Sequence, residues 1–303
     1  MGAFRSGRSL HSVMGLCAVA LAALLAAVAP PPRPMTYIYH PPESSLDVRY
    51  LYHWEILHTA LEKTSAKWGP YRMAPSERMT EQRQTFELKN KTGKLTVMYL
   101  STTPDFEHNL VPIHIPVDKN LGGYCVFLIR KGEQPRFDAV KSLDDLHKFS
   151  YGLGLGWIDV GILKASRFTV VTGSDYEGLF DMLVNKRFDV LLRAAVEVPD
   201  EYDLRKDKDL DIEKHIVFYY PLPMYFWFPK TEEGRRLAAR AEEGMRMMIA
   251  DGTYDRIFDR YQRSKIERLR LKERRIFRID NPFVGPETPF ADKRLWFDPK
   301  TYK

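Results

Sequence analysis

The stretch 142–197 constrains the fold more than any other part of the chain. It reads SLDDLHKFSYGLGLGWIDVGILKASRFTVVTGSDYEGLFDMLVNKRFDVLLRAAVE. Residues 151–155, 168–171 and 188–192 are short apolar runs bounded by turn residues, the pattern of strands buried on both faces of a parallel sheet. Between the last two, Tyr176, Leu179, Phe180, Leu183 and Val184 recur at helical spacing. Ser174 precedes Glu177 by three residues, so a capping box is expected to open that helix. Strand, helix, strand, helix, strand is a βαβαβ unit, and such units bind ligands beyond the carboxyl ends of their strands. The first strand runs out into Gly154, Gly156, Trp157 and Asp159, and the third into Arg193 and Glu197. Glycines there let a ligand approach the backbone at a helix N-terminus.

The order and spacing of "SLDDL", "YGLGLGWIDVGIL" and "GSDYEGLFDMLVNKRFDVLLR" resemble the second lobe of the bacterial extracellular solute-binding proteins of family 3. Further on, "ADGTYDRIFDRY" is similar to the "dGty..iy..w" ending of that family's last first-lobe helix. The resemblance covers most of residues 35–297, strongest from Ser142 onward and vague over 43–90. Residues 275–297, RIFRIDNPFVGPETPFADKRLWF, extend beyond the usual family end. The resemblance implies an α/β, two-lobed fold of the type 2 periplasmic binding protein kind, each lobe a mostly parallel sheet flanked by helices. It also implies a small polar or anionic ligand between the lobes, closure of a hinge, and a membrane permease of an ABC transporter or a sensor as partner.

The N-terminus fits an exported protein. Arg5 and Arg8 precede an alanine-rich apolar run, 13–29, that closes on Ala27-Val28-Ala29, a small-x-small cleavage pattern. The run is shorter than the roughly 20 residues of a spanning helix. Residues 1–29 are therefore expected to be a signal peptide and the mature protein periplasmic. Pro30 directly after the cut fits poorly, and an uncleaved anchor is the alternative. Cys17 has no small residue before it, which argues against a lipoprotein anchor. Of the two cysteines only Cys125 survives cleavage, so no intrachain disulfide is expected, and Cys125 reads as a small core residue.

The roughly 270 residues that follow are too many for one ordinary core and suit two lobes. Lobe one is expected at 35–129 with 220–303, and lobe two at 130–219. Residues 35–39, 71–74, 95–100, 111–116 and 124–130 read as strands, and 46–66 and 76–88 as helices, the first capped by Ser44 or Ser45. Tyr50 and Trp54, four apart, read as core. Residues 212–228, interrupted at Pro221 and Pro223, read as the return crossing. Residues 232–250 and 253–269 read as two amphipathic helices separated by Asp251-Gly252.

Catalytic signatures are sparse. The chain contains no G-x-S-x-G elbow and no H-E-x-x-H, and its histidines are scattered. No metal, cofactor or catalytic residue is expected. Gly152, Gly154 and Gly156 lack the third glycine offset of a dinucleotide fingerprint and read as a tight strand-to-helix turn. The formal net charge is +6, and residues 260–278 hold nine Lys or Arg against two Glu. A solvated basic helix and a docking face for an acidic partner or membrane both fit that run; nucleic acid does not, without a recognition motif.

The candidate ligand-binding residues are His40, Ser101, Thr102, Thr103, Gly154, Gly156, Trp157, Asp159 and Arg193. In family relatives that bind amino acids, an arginine after the third strand grips the α-carboxylate. The matching segment here, 102–107, contains Asp105 and Glu107 and no arginine. Arg193 is the alternative cation, either as anchor for an anionic ligand or in a salt bridge to Glu197 or Asp189. The overall expectation is a monomeric binding protein without catalysis. The alternatives are a dehydratase-like periplasmic enzyme on the same fold and a degenerate scaffold that binds nothing.

Overall fold

Side-chain alternation along one strand, Tyr124–Arg130, decides how most of the molecule is layered. In the computed structural model, which describes residues 1–3, 34–41 and 51–302, this strand is buried along its whole length. Cys125, Phe127 and Ile129 enter one core, while Tyr124, Val126 and Leu128 enter another, following the two-residue period of a strand. Residues 4–33, which hold nearly all of the expected signal peptide, lie outside the described residues. So do 42–50, and with them Ser44, Ser45 and Tyr50.

In chain order the strands are β1 (Met35–Tyr39), β2 (Tyr71–Pro75), β3 (Met98–Ser101), β4 (Leu110–Pro112), β5 (Tyr124–Arg130), β6 (Ser150–Gly154), β7 (Thr169–Gly173), β8 (Val190–Ala194), β9 (Leu210–Ile212), β10 (Ile216–Tyr219), β11 (Met224–Pro229) and β12 (Arg275–Arg278). Lobe two is a seven-stranded sheet, ordered β12-β10-β5-β8-β6-β7 with β9 beside the end of β5. Its βαβαβ part, β7-β6-β8, is parallel as the sequence pattern requires. β5 runs antiparallel to both β8 and β10. Lobe one holds a parallel pair, β1 with β2, and an antiparallel trio, β3-β11-β4. The two groups meet where Thr96 and Val97 donate their amides to the Ile38 carbonyl. The chain is thus the α/β, two-lobed molecule expected, with residues 35–303 forming one compact unit.

The sheet boundaries differ from the positions expected for the lobes. β5 and β12 fall in ranges assigned to lobe one, yet both are hydrogen-bonded into the lobe-two sheet. β12 covers the edge that β10 would otherwise expose, a standard way to satisfy unpaired strand groups. The cores are not separate either. A single apolar cluster runs from Ile56, Phe226 and Met245 in lobe one to Leu128, Leu183 and Leu191 in lobe two.

Local differences have local causes. The first long helix ends at Lys63 rather than at residue 66. The Thr64 hydroxyl turns back to the Ala60 and Leu61 carbonyls, and the buried Arg240 guanidinium caps Leu61, Gly69 and Pro70 carbonyls. The helix Tyr176–Val184 is capped by Asp175 and not by Ser174, since the Asp175 carboxylate accepts from Gly178 N at 2.6 Å. The helix expected at 76–88 begins only at Glu81, capped by Thr80. The helices Glu232–Ala250 and Thr253–Arg268 stand where periodicity places them. Among the described residues, no helix is long and apolar enough to cross a membrane.

Much of the basic run 260–278 is engaged in ion pairs within the chain. Lys265 Nζ reaches Asp200 at 2.6 Å and the Val196 carbonyl at 2.7 Å. Arg268 forks onto Asp203 at 2.6 and 2.8 Å. Arg260 pairs with Glu55, Arg263 with Asp259, and the buried Arg274 with Glu213. The run clasps the last helix of lobe one against Val198–Asp203 of lobe two. Residues after β12 add a second clasp: Asn281 donates to the Pro221 carbonyl, and Phe297 bridges Lys119 and Tyr124.

Candidate functional site

A cavity of about 510 Å³ opens between the lobes, within the range of small-molecule sites. Lobe one contributes Tyr52 and His53 from its first helix, Glu81 and Gln82 from the helix Glu81–Lys89, and Tyr99, Ser101 and Thr103 around the end of β3. Lobe two contributes Gly156, Trp157 and Asp159 after β6, and Arg193 and Glu197 after β8. Asp118, Gly122 and Cys125 line it from the crossing segment, and Tyr261, Gln262 and Lys265 from the helix Thr253–Arg268. The β6 and β8 ends form its lobe-two wall, where a βαβ sheet opens to ligands.

Of the nine candidate residues, the structure brings Ser101, Thr103, Gly156, Trp157, Asp159 and Arg193 to this cavity. His40, Thr102 and Gly154 are not among its lining residues. His40 is buried, and its Nε2 accepts from Met79 N at 3.3 Å, which ties the chain after β1 to the segment before Glu81. The Thr102 hydroxyl donates to Glu107 at 2.7 Å, and Glu107 also meets His114 at 3.0 Å. Asp105 pairs with Lys89. The two carboxylates of the segment 102–107 are therefore both engaged within lobe one. Thr103 caps the helix Pro104–Asn109, accepting from Phe106 N at 3.1 Å.

Gly154 has a structural explanation of its own. A Cβ built there would lie 2.3 Å from the indole of Trp157, so the glycine makes room for the chain's own ring. Gly156 sits at φ +92°, a conformation other residues adopt only under strain, and turns β6 into the helix Ile158–Ala165. Trp157 is thereby laid flat, with the Arg193 guanidinium 4.7 Å from its ring centroid.

Arg193 is fully engaged on one side. Its Nε donates to Glu201 at 2.7 Å, a second bond from Nη2 completes the fork, and Nη2 also lies 2.8 Å from Glu197. Tyr176 donates to the same Glu201 carboxylate. Burial by itself would lower the Arg193 pKa, but the two carboxylates outweigh it and hold the guanidinium charged. Burial likewise opposes the Glu201 charge, and Arg193 overrides it, leaving that carboxyl below its ordinary range. Of the two partners considered from sequence, Glu197 is present and Asp189 is not; Asp189 pairs with Arg136 and Ser150.

Two buried carboxylates shape the remaining field. Asp118 accepts from Asn120 N at 3.0 Å and Gly122 N at 2.9 Å, yet burial pushes its pKa up to about 6. Asp159, in the first turn of Ile158–Ala165, is raised by burial too, against a hydrogen bond from Tyr220. Cys125 sits 3.1 Å from the Tyr220 hydroxyl, and burial drives its thiol pKa upward.

Sequence reading missed the aromatic lining, Tyr52, Tyr99 and Tyr261, because rings facing a cavity obey the same periodicity as rings facing a core. Gln262 carried a usable signal. Tyr254, Phe258, Gln262 and Ile266 fall four residues apart on one buried helix stripe, and Gln262 is its polar member.

No protein-family model and no curated protein sequence matches the chain. Solved structures do. An ancestral arginine-binding protein bound to arginine aligns with a TM-score of 0.54 at 17% identity, over 75% of this chain and 98% of that one. The fold is that of the periplasmic binding proteins. A periplasmic binding protein from Salmonella typhimurium, described by its high arginine specificity, aligns at 0.53 and 15% identity, over 76% of this chain and 99% of that one. A histidine kinase sensor domain similar to periplasmic binding proteins aligns at 0.51 and 15%, over 76% and 96%. The periplasmic-binding-protein fold places its two lobes on either side of the cavity described above.

Proposed function

We propose that this chain is an exported solute-binding protein that holds a small polar molecule between its lobes and presents it to a membrane transporter or sensor. The observation that carries the reading is the cavity itself. It is of small-molecule size, is lined from both lobes, and mixes aromatic rings with convergent polar groups. The neighbours on the same fold are binding proteins, two of them for arginine and one a sensor domain. Binding without turnover fits the groups gathered here. Cys125, the thiol among the described lining residues, faces a tyrosine hydroxyl and has a raised pKa, the opposite of an activated nucleophile.

The expected anionic character of the ligand has little support. The described lining carries Glu81, Asp118, Asp159 and Glu197 against Arg193 and Lys265, and both cations are already ion-paired. The reading favours a ligand whose polar end is neutral or positive. Export rests on Arg5, Arg8, the apolar run and Ala27-Val28-Ala29.

A thermal-shift screen of the full chain against a metabolite library tests the reading, since a ligand selective for the native state raises the melting temperature. At least one small polar compound should do so and be recovered unchanged by mass spectrometry. A flat screen, or conversion of the compound, would overturn it.

A further inference from the structure

We infer that the ligand is an organic cation without a free carboxylate, a primary amine or guanidine of small-metabolite size, and that Gln262 is one of the groups that hold it. The inference rests on the reading that this cavity is the binding site. It starts from what the cavity can offer a carboxylate. The two features that ordinarily attract one are a cationic side chain and a helix N-terminus. Each is present, and each already holds a carboxylate of the protein.

Arg193 directs one edge of its guanidinium at Glu201 and shares Nη2 with Glu197, with its plane against Trp157. Lys265 is drawn to the other wall by Asp200 and the Val196 carbonyl. The helix Ile158–Ala165 starts at the cavity, and Asp159 occupies its first turn, its carboxylate accepting from the Tyr220 hydroxyl. Among the described lining residues, no Lys or Arg is left unpaired. An entering carboxylate would be stripped of water beside Asp118, Asp159 and Glu197 and meet only cations that Glu197, Glu201 and Asp200 already balance, an unfavourable burial.

A cation meets the reverse situation. The same carboxylates attract it, and the aromatic side chains of Tyr52, Tyr99, Trp157 and Tyr261 line the space, a setting that suits a cation better than an anion. Gln262 adds a specific acceptor. It is 4% exposed, lines the cavity, and its Oε1 is buried with no hydrogen-bond partner among the described residues. Buried polar atoms are ordinarily paired, so an orphaned acceptor on a cavity wall points to a donor supplied by the ligand. Ammonium and guanidinium groups are donors only.

Matched pairs that differ by one carboxylate isolate the point: agmatine against arginine, cadaverine against lysine, histamine against histidine. Each is titrated by calorimetry into the full chain. At least one amine should bind, and bind at least about tenfold tighter than its amino acid, the scale set by one buried charged group left without a partner. Gln262→Leu, close in size, should weaken that amine by about tenfold and leave the melting temperature of the unliganded protein within a degree or two. An amino acid that binds as tightly as its amine overturns the inference and leaves the cavity reading intact. So does binding of a neutral or anionic library compound when none of the six binds. Unchanged amine affinity in Gln262→Leu removes Gln262 from the site. If neither the six nor any library compound binds, the cavity reading fails with it.

Discussion

Replacing Arg193 by alanine separates a structural cation from a ligand anchor, and the geometry sets the size of the effect. Arg193 and Glu201 have side chains only 6% and 5% exposed. Removing one partner of such a pair leaves the other charge buried, which costs about 3–5 kcal/mol. Loss of the stacking on Trp157 and Tyr176 adds to this, so a value near the middle of that range or above is expected. For a domain of this size each kcal/mol moves the melting temperature by about 2–4 °C, so a drop of roughly 8–16 °C should appear in thermal melts. Replacing both partners, Arg193→Met with Glu201→Leu, should recover most of the loss, because an apolar pair removes the stranded charge. The acid limb gives a further check. In the wild type the Glu201 pKa is depressed, so its stabilising contribution exists above the unfolded carboxylate pKa and fades as pH falls through the folded one. In Arg193→Ala the buried carboxyl instead favours its protonated form, and the deficit relative to wild type should shrink below about pH 4. Denaturant melts at several pH values measure all of this. A variant that melts like the wild type yet loses its ligand would refute the reasoning and restore Arg193 as anchor.

Three further outcomes follow from two other buried groups. Asp118, raised to about 6 by burial among Glu197, Tyr52 and Tyr254, binds its proton more tightly in the folded state. Its contribution to stability is therefore greatest below about pH 4 and declines as pH rises through 6, by roughly 3 kcal/mol in all; wild type minus Asp118→Asn should show that slope, and parallel curves would contradict it. Affinity for a cationic ligand should move the other way, falling as Asp118 is neutralised below about pH 6. Phe297, 5% exposed between Tyr124, Phe258 and Tyr302, is the anchor of the segment after β12. Phe297→Ala should destabilise the protein by about 3–5 kcal/mol in denaturant titration, and a loss under about 1 kcal/mol would mean that this segment is not part of the folded core.

What the sequence determined by itself is everything governed by short-range periodicity. The helix Glu232–Ala250 was legible because Ala238, Ala241, Met245 and Met248 recur at its turn spacing and Asp251-Gly252 ends it. The strands β6, β7 and β8 were legible to within about two residues, the usual uncertainty of element ends, because a strand buried on both faces leaves an unbroken apolar run. Once those alternate with helices, right-handed connection leaves few arrangements, and the strand ends holding Gly156, Trp157, Asp159 and Arg193 must face one crevice. Partner choice was beyond its reach. Arg193 lies four residues from Glu197 and eight from Glu201, and only the fold of Val198–Asp203 brings the second carboxylate under the guanidinium. The basic run 260–278 looked solvent-facing because a sequence shows its charges and not the acidic helix across the cleft; packing turned it into a clasp. β12 and Gln262 were decided in the same way. A strand's sheet depends on which edge is left open, and a polar residue on a buried stripe becomes meaningful only when tertiary packing leaves its oxygen unpaired beside a cavity.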